Sequence, residues 1–134
     1  MDAWPLWTWS GILKGESKVL NTNLKHLETE QEVRKVLENN GNVMICCGRM
    51  GPMCTPVYRI MEELEGKYVH VAFRDQDFDI AAAEFIRSLP ECASFMGLPF
   101  TVYFKSGKVV EATTSIQSKE EVIEILDTEF GKPS

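Results

Sequence analysis

The sequence predicts an α/β fold, a sandwich of helices on a mixed central sheet in the order βαβαβαββα. Three observations predict it. Short apolar runs rich in Val, Ile and aromatics alternate with stretches whose apolar residues recur at i, i+3, i+4 and i+7. Two of those helical stretches open on capping boxes, Thr29-x-x-Glu32 and Ser118-x-x-Glu121. Ser106-Gly107 divides two strand-like runs by the two residues of a tight hairpin, so part of the sheet is antiparallel.

Taken in order, Leu24 to Leu27 alternates with polar residues and reads as an edge strand. After the first capping box, Val33, Val36 and Leu37 follow at helical spacing, and Asn39-Asn40-Gly41 stops the helix. Val43-Met44-Ile45-Cys46-Cys47 is a continuous apolar run that reads as a buried strand. Gly48 to Met53 holds two glycines and a proline and cannot continue it. Pro56 belongs in the first turn of a helix, so the next helix starts near Cys54–Thr55. Val57, Ile60, Met61 and Leu64 form its buried stripe, and Gly66 ends it.

Tyr68 to Phe73 predicts a strand. Asp75, Asp77 and Asp79 offer caps for a helix through Ala81-Ala82-Ala83, Phe85 and Ile86, closed by Pro90. Leu98 to Phe104 is a strand entered through Pro99, and Val109 to Thr113 returns beside it. The last helix follows the Ser118 box with Val122, Ile125, Leu126 and Phe130 inward, and Gly131 closes it.

Composition bounds the function. At 134 residues the chain is one domain with a core large enough to need no staples. The net charge of −6 argues against nucleic acid or an anionic membrane surface as partner. No apolar run approaches the ~20 residues that span a bilayer. The start of the chain has Asp2 where a signal peptide carries a base, and Pro5 and Gly11 interrupt its apolar part, so a cytoplasmic protein is expected. Four cysteines are too few for a disulfide scaffold and point to thiol chemistry.

Residues 1–22 fit no regular element and stand as an N-terminal extension to a domain over 23–134. All three tryptophans, Trp4, Trp7 and Trp9, lie there. They either pack on the domain's own surface or dock a partner protein, where Trp is enriched in hot spots.

The chemistry centres on Val43 to Val57. Strand, tight loop and a cysteine at a helix start is the arrangement that activates a thiol, because unpaired amides and the helix dipole favour the thiolate. Cys54 is the thiol so placed, with Arg49 near in sequence.

The element order and three segments resemble the thioredoxin family over about residues 24–130. The Gly51-Pro52 loop resembles the family's Cys-Gly-Pro-Cys site. Met96-Gly97-Leu98-Pro99-Phe100-Thr101 resembles the segment that carries its cis-proline, here Pro99. Phe104-Lys105-Ser106-Gly107-Lys108 resembles its hairpin. The resemblance implies a three-layer α/β/α sandwich and a groove at Gly51, Pro52, Leu98 and Pro99 that grips extended peptide. The active-site motif departs from the family pattern, reading Met50-Gly51-Pro52-Met53-Cys54. Aligning Gly-Pro with Gly-Pro puts methionine at both cysteine positions and turns Glu63 inward. Aligning the apolar stripe instead sets Cys54 at the family's resolving cysteine and Gly51 at the nucleophile, and is preferred. Neither restores Cys-x-x-Cys, and Met44 and Ile45 occupy the region of the family's buried acid.

Cys47 is either a candidate disulfide partner of Cys54, across a six-residue loop able to fold back, or a buried strand thiol that never titrates, with Cys92 another candidate second thiol. Cys46, among apolar neighbours, reads as core. Cys46 and Cys47 point to opposite faces of one strand and no Cys-x-x-Cys exists, so no metal or other cofactor is expected. The methionines of the loop with Cys54 offer a soft copper(I) site, but an adaptable apolar partner surface is preferred. Two functions compete: a thiol–disulfide redox protein acting through Cys54, and a redox-inactive binding module or subunit of an assembly.

Overall fold

The computed structural model describes residues 20–94 and 96–133. Trp4, Trp7 and Trp9, and the readings placed on them, lie outside the described residues. Five strands form one mixed sheet: β1 (Lys25–His26), β2 (Asn42–Gly48), β3 (Ala72–Asp77), β4 (Phe100–Lys105) and β5 (Lys108–Thr114). Their spatial order is β1-β3-β2-β4-β5, with β1, β3 and β2 parallel and β4 and β5 antiparallel to their neighbours. Among the described residues four α-helices cover it: α1 (Glu30–Asn39), α2 (Thr55–Glu65), α3 (Glu84–Arg87) and α4 (Lys119–Phe130).

The alternation of side chains along β2 divides the core into two layers. Met44 and Cys46 face Val57, Tyr58, Met61 and Leu64 of α2 and Val122, Leu126 and Phe130 of α4. Val43, Ile45 and Cys47 face Val33 and Val36 of α1, Ile86 of α3 and Cys92. The three-layer α/β/α sandwich follows from those two stripes meeting opposite faces of one sheet. Both capping boxes form, with Thr29 and Ser118 accepting from the amides of Glu32 and Glu121.

The structure moves several boundaries. The strand expected over Tyr68 to Phe73 runs instead from Ala72 to Asp77. Tyr68 and Val71 are buried, but in the turn after α2, where the Tyr68 amide donates to the Leu64 carbonyl at 2.8 Å. Asp75 and Asp77 are therefore strand residues rather than helix caps. Burial of the polar run is possible because its side chains find partners: Gln76 Nε2 donates to the Leu27 carbonyl at 3.2 Å, and Asp75 is bonded on both oxygens. The expected third helix shortens to a 3-10 turn at Ala81–Ala83 and one turn of α-helix. The first strand shortens to Lys25–His26, and the fourth begins at Phe100.

Residues ahead of β1 also contact the fold. Leu20 is buried in the α2 layer, Thr22 bonds Asp75, and the Asn23 amide donates to Glu62 at 2.6 Å.

Candidate thiol site

The site is built where β2 ends. Gly48 closes the strand, and its carbonyl accepts the Phe78 amide at 2.9 Å, which fixes the strand end against the β3 exit. Arg49 to Met53 then turn back, and the Thr55 amide donates to the Gly51 carbonyl at 2.9 Å. Pro56 sits in the first turn of α2, where a missing N–H costs nothing, and Cys54 is the N-cap residue.

Cys54 is only 4% exposed. Its sulfur makes no capping bond to the first amides of α2; it accepts instead from the Arg49 amide across the loop at 3.5 Å. The Tyr58 hydroxyl, one turn along α2, donates to the Arg49 carbonyl at 3.1 Å, so the backbone of Arg49 is held at both its amide and its carbonyl. The Arg49 guanidinium forks onto Asp79 at 2.7 and 2.8 Å and holds that carboxyl below its ordinary range. Burial drives the Tyr58 hydroxyl far above its usual ionisation.

Gly48 is the residue that makes room. A Cβ placed there would stand 2.9 Å from the Cys54 sulfur, 2.9 Å from Tyr58 Oη and 3.1 Å from Pro99 Cβ. Cys54, Tyr58 and Pro99 therefore pack so closely on Gly48 that a larger residue fits only if one of them shifts. The Leu98–Pro99 bond is cis. The amide of Ser115 donates to the Gly97 carbonyl at 3.1 Å and the Pro99 carbonyl at 3.0 Å, tying the end of β5 to this loop. Met50 and Met53 of the loop before Cys54 are 37% and 45% exposed, and Met96, before Pro99, and Ile116, after Ser115, are 88% and 44% exposed. The Asn21 amide lies 3.3 Å from the Met50 sulfur, so the amino-terminal segment meets the fold here. Gly51 is half-buried and Pro52 exposed in the same loop.

The cysteines do not gather as expected. Cys47 shares its layer with Cys92, whereas Cys54 shares the opposite layer with Cys46. Neither Cys47 nor Cys92 thus lies on the Cys54 side of the sheet, because successive β2 residues face opposite ways. All four thiols are free and buried. Burial raises the thiols of Cys46 and Cys47 well above the ordinary range, and raises Cys92 against the pull of Arg87. On α2, Glu63 faces outward to Lys119 at 2.6 Å while Val57, Met61 and Leu64 are buried.

Three features escaped the sequence. Gly48 reads only as a strand terminator. Tyr58 neighbours the apolar stripe and is fully buried. Asp75, 0% exposed, accepts from Thr22 and lies 2.5 Å from His26 Nδ1, next to Cys46 in the β2–β3 register. Burial raises its carboxyl above the ordinary range, opposed by those two bonds. An acid inside a strand leaves no periodic signal that could have revealed it. Among the described residues no group of three His, Cys, Asp or Glu side chains is placed to hold a metal ion, and no helix is long and apolar enough to cross a membrane.

No protein-family model and no curated protein sequence matches the chain. Solved structures do. A thioredoxin of Plasmodium falciparum is 16% identical, with a TM-score of 0.66 over 79% of this chain and 99% of that one. A thioredoxin of Halobacterium salinarum is 17% identical, with a TM-score of 0.67 over 81% of this chain and 94% of that one. Mitochondrial thioredoxin 3 of Saccharomyces cerevisiae is 18% identical, with a TM-score of 0.64 over 78% and 94%. At these identities the likeness is one of fold, and the chain is a thioredoxin-fold protein.

Proposed function

We propose that this chain is a thioredoxin-like thiol–disulfide protein in which Cys54 is the reacting thiol and the cleft at Gly48 and Pro99 receives a segment of a partner protein. The observation that carries the reading is the seat of the Cys54 sulfur: at the start of α2, held by the Arg49 amide, and packed, like Pro99, closely against Gly48. In the reaction the Cys54 thiolate attacks one sulfur of a partner disulfide, the other sulfur leaves as a thiolate, and a mixed disulfide remains on Cys54. Release falls to an external thiol, since Cys47 and Cys92 belong to the other layer. Gly51, Pro52, Leu98 and Pro99 form the walls of the cleft, and Trp4, Trp7 and Trp9 add partner contacts. Four free thiols accord with a reducing compartment such as the cytoplasm.

A second reading, binding without exchange, is favoured by the apolar rim. Among the described residues Met50 and Met53 in the loop before Cys54, Met96 in the segment before Pro99 and Ile116 after Ser115 are large hydrophobics left exposed. Methionine suits such an adaptable contact surface. One experiment decides between the two. The reduced chain is mixed with an aromatic disulfide that releases a coloured thiolate, beside Cys54→Ser. Redox function predicts one rapid equivalent from the parent that Cys54→Ser lacks. Equal release from both removes Cys54 from the chemistry and leaves the binding module.

A further inference from the structure

We propose that Cys47 and Cys92 form a second redox pair, independent of Cys54: a disulfide that ties the end of β2 to the loop carrying Pro99. Both side chains pack in the layer beneath α1 and α3, with Phe100 and Ile86, and no other cysteine shares that layer. Cys92 sits in the 3-10 turn Pro90–Cys92, a short segment with no strand or long helix to restrain a small shift. Burial, and after it the Cys92 thiol, hold the Cys47 thiol above its ordinary range. Neither thiol is used by the chemistry proposed at Cys54.

The position gives the bond a consequence. Gly48 and Arg49, which seat Cys54 and Tyr58, directly follow Cys47. Pro99, the opposite wall of the cleft, ends the loop that Cys92 begins. A Cys47–Cys92 bond therefore joins the roots of the two cleft walls and fixes their spacing from below. It makes the cleft sensitive to the thiol–disulfide balance without touching the surface that receives a partner.

The oxidant is a low-molecular-weight disulfide. Cys92, 5% exposed against 0% for Cys47, loses its proton to solvent and attacks one sulfur of the oxidant, whose other half leaves as a thiolate. Cys47 then loses its proton and attacks the Cys92 sulfur, displacing the second thiolate. The two protein thiols give up two electrons, the oxidant becomes two thiols, and excess thiol reverses the reaction.

The test uses the Cys54→Ser chain, so that failure here is separable from failure at Cys54. Reduced protein is incubated with glutathione disulfide, alkylated, digested and mapped by mass spectrometry, with circular dichroism confirming the fold. The expected product is one linked pair of peptides joining Cys47 to Cys92, two hydrogens lighter than the separate thiols, with Cys46 alkylated. Dithiothreitol removes it, and Cys92→Ser lacks it. Alkylation of both Cys47 and Cys92 after prolonged oxidation of folded protein overturns the proposal, as does linkage of Cys92 to Cys46. Should Cys92→Ser fail to fold, the peptide map of the Cys92-containing chain decides alone.

Discussion

The site depends on one absent methyl group. Gly48 has an ordinary backbone, so alanine is conformationally acceptable there; the obstacle is the 2.9 Å approach to Cys54 Sγ and Tyr58 Oη. The Pro99 side of the contact is a ring closed by Ser115 bonds and cannot retreat easily. Gly48→Ala is expected to lower stability by about 1–3 kcal/mol, the range for overpacking a filled core. It should also change the rate at which Cys54 reacts with an alkylating probe. Urea denaturation and timed alkylation check this, and an unchanged value in both would mean that the cradle is looser than the distances imply. Sequence alone shows a glycine ending a strand; the reason it must be glycine lies in residues 54, 58 and 99, which only the fold assembles.

At the scale of elements, β3 is the instructive one. Its polar centre looks like a loop, yet it is a strand with a neighbour on each side. Asp75 is expected to make stability pH-dependent. Its burial raises the folded-state carboxyl above the ordinary value of about 4, so the folded chain holds that proton more tightly than the unfolded one. Stability from this group is greatest in acid below the unfolded value. It declines as pH rises from that value to the raised one, and is constant beyond. Asp75→Asn cannot ionise and should flatten that part of the profile, measured by chemical denaturation from pH about 4 to neutrality. A parent-like slope in the variant would place the linkage elsewhere. The capping boxes behave oppositely: Thr29 and Ser118 mark helix starts in sequence because the bonds they make span only three residues.

Across the whole molecule, the amino-terminal segment contributes to both layers of the core. Leu20 and Leu24 lie with α2, and Leu27 lies with α1, each no more than 4% exposed. A chain starting at Glu28 loses these three side chains, strand β1 and the His26 and Thr22 bonds to Asp75. At about 1.5–3 kcal/mol per buried leucine, it should be less stable than a chain starting at Leu20 by several kcal/mol. Thermal melts of the two chains test this. Equal midpoints would show that the segment rests on the fold without supporting it. Residues 20–22 read as extension in the sequence because Asn21-Thr22-Asn23 carries no periodic pattern; the partners of those three residues, Met50, Asp75 and Glu62, are 29 to 53 residues away.

The sequence by itself determined the fold class, the element order, both capping boxes, the hairpin at Ser106-Gly107 and the seat of Cys54 at a helix start. Those features arise from interactions over a few residues, or from periods of 2 and 3.6 that a sequence displays directly. Tertiary structure alone decided which cysteines share a layer, why position 48 is glycine, and that Asp75 is buried in a strand. Each of those depends on which side of the sheet a residue faces and on what a distant segment brings to it. A one-residue change of register reverses the first, and no local pattern encodes the second.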